Sequence, residues 1–253
     1  MASRKDKTMN NSNSQYEKKA QILIDALPYI RDFSGKIVVI CYCCTNLLSA
    51  KEEQSVMQDI ALLKSIGMKP IVVHDIRFGA DRYRENKRIA KLIELAGIKA
   101  VGICGIDLQT LNMTIENGYI PVVTTNDIDT ENMILYPENV ACEIAKRIHA
   151  EKLVFLSEDK GIYKDNNKEN GPTPMLTQEE ARDFLKKYEL SESYSRRIKN
   201  AIAAVESGVS RAHLIDGEIE HGLLLEFFSI RGVGTVIIHD HSKYYSHEKA
   251  VVG

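Results

Sequence analysis

Three cysteines, Cys41, Cys43 and Cys44, stand directly behind the apolar run Ile37-Val38-Val39-Ile40. Thiols at this density can hold a metal ion or carry redox chemistry. On a strand Cys41 and Cys43 share one face and Cys44 points away. Only two thiols then converge, and no Cys-x-x-Cys pair elsewhere completes a metal site. The sequence favours the other reading, small buried hydrophobes, and no metal centre is expected. Further residues of chemical promise close other apolar runs. His74 is followed by Asp75, Ile76 and Arg77, and Leu156 by Ser157, Glu158, Asp159, Lys160 and Gly161. His213 and Glu226 lie in the last third, ahead of a Gly232-Val233-Gly234 turn. His239, His241 and His247 could form a metal tract, but a frayed tail is the simpler account.

These residues need elements to position them. Ile37 to Ile40 is the kind of β-branched run that forms a strand buried on both faces. Similar runs end in His74, Cys104, Thr124 and Ser157. Between them lie helical patterns: Lys51 to Ile66, stopped by Gly67; Asp81 to Ala96; and a helix within Met133 to Arg147. Thr177 and Glu180 form a capping box at the head of a helix reaching about Tyr188, and Ser191 to Val205 is the next. Ahead of the first strand, Ala20, Leu23, Ile24, Leu27 and Ile30 make an apolar stripe that Pro28 kinks. Strand–helix alternation through the whole chain implies an α/β fold with a largely parallel sheet. Ligands in such folds sit at the carboxyl ends of the strands, where the candidate residues above fall.

Composition narrows the classes. The formal net charge of −2 gives no bulk attraction to nucleic acid. No run approaches 18 apolar residues, so no membrane-spanning helix is expected. Residues 1–15 read as a disordered polar tail without a secretory h-region. Five cysteines, an odd number, suit a reducing cytoplasm.

The run Gly35 to Ser49, GKIVVICYCCTNLLS, with the upstream helix Ala20 to Phe33 resembles the start of N-acetylglutamate kinases of the amino acid kinase family. So do Arg211 to Gly217 (RAHLIDG), His221 to Glu226 (HGLLLE) and Gly232 to Ile237 (GVGTVI). The resemblance covers Tyr16 to about Ile238. It implies a three-layer αβα sandwich of the amino acid kinase, or carbamate kinase-like, fold. It implies an N-terminal amino acid lobe, residues 35–150, shortened by deletions, and a C-terminal nucleotide and effector lobe, residues 151–253. In the arginine-inhibited members an N-terminal helix, here residues 16–34, interlaces dimers into a hexamer.

The same resemblance assigns roles residue by residue, and the chemistry-bearing positions depart from the pattern. The phosphate-gripping lysine falls on Cys41 and its paired glycines on Cys43 and Cys44. The second glycine run falls on Asp75 and Ile76, and the substrate asparagines on Ile134 and Tyr136. The organising aspartate reads Glu138 and the second catalytic lysine reads Arg197. Pro137 and Glu138 also suit a plain helix start. Ser157, Glu158, Gly161 and Asp216 fall on the nucleotide side. Tyr29, His213, Glu226, Gly232 and Gly234 fall on the arginine site.

Three readings follow. The chain is a catalytically impaired or inactive relative that keeps oligomerisation and arginine binding, alone or assembled with an active paralogue. Or it is an active acetylglutamate kinase using ATP and Mg²⁺. Or it acts on a different small substrate.

Overall fold

The computed structural model describes residues 21, 24–43, 48–74, 81–124, 136–163, 171–229 and 232–240. It divides into two compact units, Met1–Ser34 and Gly35–Gly253. In the first unit, residues 24–33 form helix α1, which continues through Pro28. Tyr29 and Phe33, one turn apart on α1, bring their rings to a centroid distance of 6.4 Å.

In the second unit the β-branched runs become strands of one eight-stranded sheet. These are β1 (Ile37–Tyr42), β2 (Lys69–His74), β3 (Ala100–Cys104), β4 (Ile120–Thr124), β5 (Lys152–Ser157), β6 (Met175–Thr177), β7 (Arg211–Asp216) and β8 (Thr235–Ile238). Their order across the sheet is β3-β4-β2-β1-β5-β7-β8-β6. All neighbours are parallel except β7 and β8, which run antiparallel. The sheet is continuous across residue 150, because β1 pairs with both β2 and β5. Parallel pairing needs crossover connections, which the helices supply. They are α2 (Ala50–Ser65), α3 (Arg82–Leu95), α4 (Leu108–Glu116), α5 (Pro137–Arg147), α6 (Gln178–Lys187), α7 (Glu192–Glu206) and α8 (Gly222–Phe228).

Strand periodicity splits the sheet side chains between two layers. Val39, Cys41, Val73, Leu153 and Phe155 pack with Val140 and Ile144 of α5 and Ile198 and Ile202 of α7. The opposite face carries Tyr42, whose hydroxyl donates to Glu53 of α2 at 3.1 Å. There Arg88 of α3 makes two 2.7 Å bonds to Glu53 and also bonds Glu85, tying α2 to α3. The result is the expected αβα sandwich.

Local signals explain where helices start. Ser49 and Thr177 each form a full capping box, with Glu52 and Glu180 respectively. Pro137 occupies the first turn of α5. Helix α2 ends at Gly67, which adopts φ +97°. Helix α4 and strand β6 escaped the sequence reading, while β7, α8 and β8 entered it only as segments of the resemblance. Among the described residues no helix is long and apolar enough to cross a membrane.

Candidate functional site

Parallel registration aligns the strand ends. Tyr42 is opposite His74, His74 opposite Thr124, and Ser157 opposite Asp216. The row opens onto the start of α5 and the first turns of α7, and arginines fill the space. Arg197 is almost wholly buried, and its guanidinium meets three acids. It pairs closely with Asp159, with Glu158 at 3.3 Å, and with Glu138 at 3.5 Å. Arg196 stacks its guanidinium 3.4 Å from the centre of the Tyr136 ring. It also pairs with Glu192 at 2.9 Å and with Glu138 at 3.6 Å.

The end of β1 contributes thiols to this neighbourhood. Cys41 and Cys43 share one strand face, with their Sγ atoms 3.0 Å apart. Cys43 N–H continues the ladder to Leu156 O at 2.9 Å. Burial, with the hydrogen bond to Cys43 added, pushes the Cys41 thiol well above its ordinary range. Burial also raises the Asp159 carboxyl, against the pull of Arg197.

The turn after β5 is held by its own chain. Asp159 N–H donates to Ser157 Oγ at 3.3 Å. Asp216 accepts from Glu218 N–H at 2.9 Å and lies 3.7 Å from Lys160 Nζ. Tyr194 donates its hydroxyl proton to Gly161 O at 2.8 Å. Gly161 has φ +84°, and a Cβ there would come within 2.8 Å of Pro172 and Thr235 side chains. Only glycine fits that position.

A second cluster forms on the opposite sheet face. His213 of β7 and Glu226 of α8, both buried, are joined at 2.8 Å between Nδ1 and Oε1. The other Glu226 oxygen accepts from Val233 N–H at 2.8 Å and Gly234 N–H at 2.9 Å. A Cβ on Gly232 would overlap the Glu226 carboxylate, and one on Gly234 would overlap the Leu214 carbonyl oxygen. Burial, with the nearby Lys152 charge, pushes His213 down to about 4, so its ring is neutral at pH 7. Since the carboxylate can only accept, Nδ1 carries the proton. Nε2 is then an acceptor, and among the described residues it finds no hydrogen-bond partner.

The structure thus brings Cys41, Glu138, Tyr136, Glu158 and Arg197 into one neighbourhood, with Ser157, Gly161 and Asp216 at the adjoining strand ends. It gathers His213, Glu226, Gly232 and Gly234 into another. Tyr29 belongs to the N-terminal unit, and Asp75, Ile76 and Ile134 lie outside the described residues. The sequence reading missed Asp159 and Arg196 as members of the first cluster. The run Glu158-Asp159 facing Arg196-Arg197 was the available signal.

Residues 84–216 match the amino acid kinase family, slightly over half of the chain. Acetylglutamate kinase of Campylobacter jejuni is 33% identical over 279 residues, covering 88% of this chain and 99% of that protein. The chain belongs to the amino acid kinase family. A second acetylglutamate kinase, from Thermoanaerobacter pseudethanolicus, is 32% identical over 277 residues, covering 87% of this chain and 93% of that one. Both alignments are longer than the 253-residue chain, so this family member is gapped relative to them. Solved structures agree on the kinase-family fold. N-acetylglutamate synthase of Neisseria gonorrhoeae, complexed with coenzyme A and N-acetylglutamate, superposes with a TM-score of 0.72 at 20% identity. That match covers 87% of this chain and 63% of the synthase chain. A complex of the same synthase with coenzyme A and L-arginine gives 0.69 at 21% identity, covering 87% of this chain and 65% of that one. Carbamate kinase of Giardia lamblia bound to AMP-PNP gives 0.63 at 13%, covering 81% of this chain and 99% of that one.

Proposed function

We propose that this acetylglutamate kinase-like protein has lost most or all phosphoryl transfer and serves as an arginine-responsive, self-associating member of the family. One observation carries the reading: Arg197, at the position the resemblance gives to a catalytic lysine, is already neutralised by Glu138, Glu158 and Asp159. Phosphoryl transfer works by positioning and by stabilising negative charge. A guanidinium surrounded by three carboxylates has little positive potential left for a γ-phosphoryl group. The end of β1 offers Cys41 and Cys43, thiol side chains in place of a lysine and a glycine. Loss of one preorganised donor costs about a hundred- to a thousandfold in rate, and at least two are missing.

The second cluster supports the arginine reading. The Glu226 oxygens are taken by His213, Val233 and Gly234, so in this reading Glu226 fixes the glycine turn rather than gripping ligand itself. His213 Nε2 supplies an acceptor suited to a guanidinium N–H. The resemblance also assigns Tyr29 of α1 to arginine, and residues 16–34 are the expected oligomerisation helix. Assembly with an active paralogue is the form in which an inactive subunit would set an arginine response. Residues 35–150 would be the shortened amino acid lobe and 151–253 the nucleotide and effector lobe, with the cytoplasm as the working compartment.

The specific observation favouring the second reading, an active kinase, is the 33% identity to an acetylglutamate kinase across 88% of the chain. ATP with Mg²⁺ would then sit by Ser157, Glu158, Gly161 and Asp216, and the acids around Arg197 would face the metal. A coupled ADP-release assay with acetylglutamate and ATP–Mg²⁺ decides between them. Turnover at background is expected, and turnover of about 1 s⁻¹ or more, within the ordinary enzyme range, overturns the proposal.

A further inference from the structure

We propose that Cys41 and Cys43 form a thiol–disulfide exchange site at the carboxyl end of β1, with Cys43 as the entering thiol and Cys41 as the resolving thiol. The two Sγ atoms are 3.0 Å apart on one strand face. A disulfide needs an S–S bond of about 2.05 Å and Cβ atoms about 3.8 Å apart, so closure also asks the chain to bend at Cys43, the first residue beyond β1. Residues two apart on a strand are separated by roughly 6.4–6.8 Å, near the upper end of the Cα span a disulfide bridges. A bond formed there is strained and readily reduced again, as exchangeable disulfides are.

Burial divides the two roles. Cys41 is completely buried, while Cys43 is partly exposed. A reagent from solvent therefore meets Cys43 first. Cys41 is a poor first attacker, since burial holds it in the thiol form. Once Cys43 carries a mixed disulfide, Cys41 is already in contact with the sulfur it must attack.

The oxidant is a low-molecular-weight disulfide of the glutathione class. In the first step the Cys43 thiolate attacks one sulfur of the reagent. The reagent S–S bond breaks, a mixed disulfide forms on Cys43, and one thiolate leaves. In the second step Cys41 attacks the Cys43 sulfur, the mixed disulfide breaks, and the second thiolate leaves. The protons lost by Cys43 and Cys41 end on the two departing thiols. Two protein thiols are oxidised by two electrons and one reagent disulfide is reduced to two thiols.

This inference is independent of whether the chain turns over ATP. The test uses the full chain with Cys44→Ser and Cys104→Ser, which leaves Cys41, Cys43 and the buried Cys142. After incubation with glutathione disulfide and removal of the reagent, the intact mass should fall by two hydrogens, and dithiothreitol should restore it. Peptide mapping should place the bond between Cys41 and Cys43. Adding Cys41→Ala should instead trap one glutathione on Cys43, and adding Cys43→Ser should leave the mass unchanged. Both variants are checked for a cooperative thermal transition first. An unchanged mass in the parent, a stable glutathione adduct in the parent, or a bond mapped to Cys142 would each overturn the proposal.

Discussion

His213 donates its Nδ1 proton to Glu226 across 2.8 Å, in a place where both side chains are about 95% removed from solvent. Burial holds His213 down at about 4 in the folded chain, against about 6.5 in an unfolded one. Between those values the unfolded state binds more protons, so stability rises with pH there. Glu226 also sits below its ordinary value: burial raises it, but His213 and the Val233 and Gly234 N–H groups outweigh that. Its contribution is likewise lost on acidification. Thermal midpoints should therefore fall steadily as pH drops from about 6.5 to about 4. His213→Gln should flatten the upper part of that slope. A wild-type midpoint constant from pH 6.5 to 4.5 would refute the assignment.

Arg197 and Arg196 both pair with Glu138, a carboxylate with 5% of its side chain exposed. Arg197→Met should cost about 3 kcal/mol in urea unfolding, the low end for breaking a buried pair, because Arg196 still faces Glu138. Glu158 is 43% exposed, and Glu158→Gln should cost no more than about 1 kcal/mol. The double variant Arg197→Met/Glu138→Gln should recover part of the loss, because the two groups are directly coupled. Equal costs for the two single variants would mean that Arg197 is not the hub of this cluster.

Gly234 and Gly97 separate packing from backbone conformation. A Cβ on Gly234 would overlap the Leu214 carbonyl oxygen, which belongs to the sheet and has no rotamer to escape into. Gly97 has φ +99° but open space around its would-be Cβ. Gly97→Ala should cost about 1–2 kcal/mol, the penalty for an L residue at positive φ. Gly234→Ala should cost more, at least about 3 kcal/mol, and should disturb the two N–H bonds to Glu226. Denaturant midpoints of the two variants give the comparison directly.

The sheet was legible because β-branched runs are a local signal. Ile37–Tyr42, Lys69–His74 and Lys152–Ser157 needed no knowledge of their neighbours to be read as strands. The Thr177 capping box was legible for the same reason. Strand β6 was not, since its three residues have no pattern of their own and are defined by pairing with β8 about sixty positions later. Asp159 was read only as part of a turn. Its pairing with Arg197 spans 38 positions and depends on where α7 docks. Glu226 was read as an acid awaiting a cation. The N–H groups that occupy it become visible only when the glycine turn closes over it.

The reversal between β7 and β8 sets an order of assembly during synthesis. Strand β6 occupies the sheet edge, and its one neighbour there is β8. Residues 175–177 thus have no place in the sheet until residues 235–238 have left the ribosome. Until then β7 is itself an edge, with its outer N–H and C=O groups open to other chains. A nascent or truncated chain that stops short of Thr235 carries a nearly complete parallel sheet with one bare, apolar border, the kind of species that chaperones intercept.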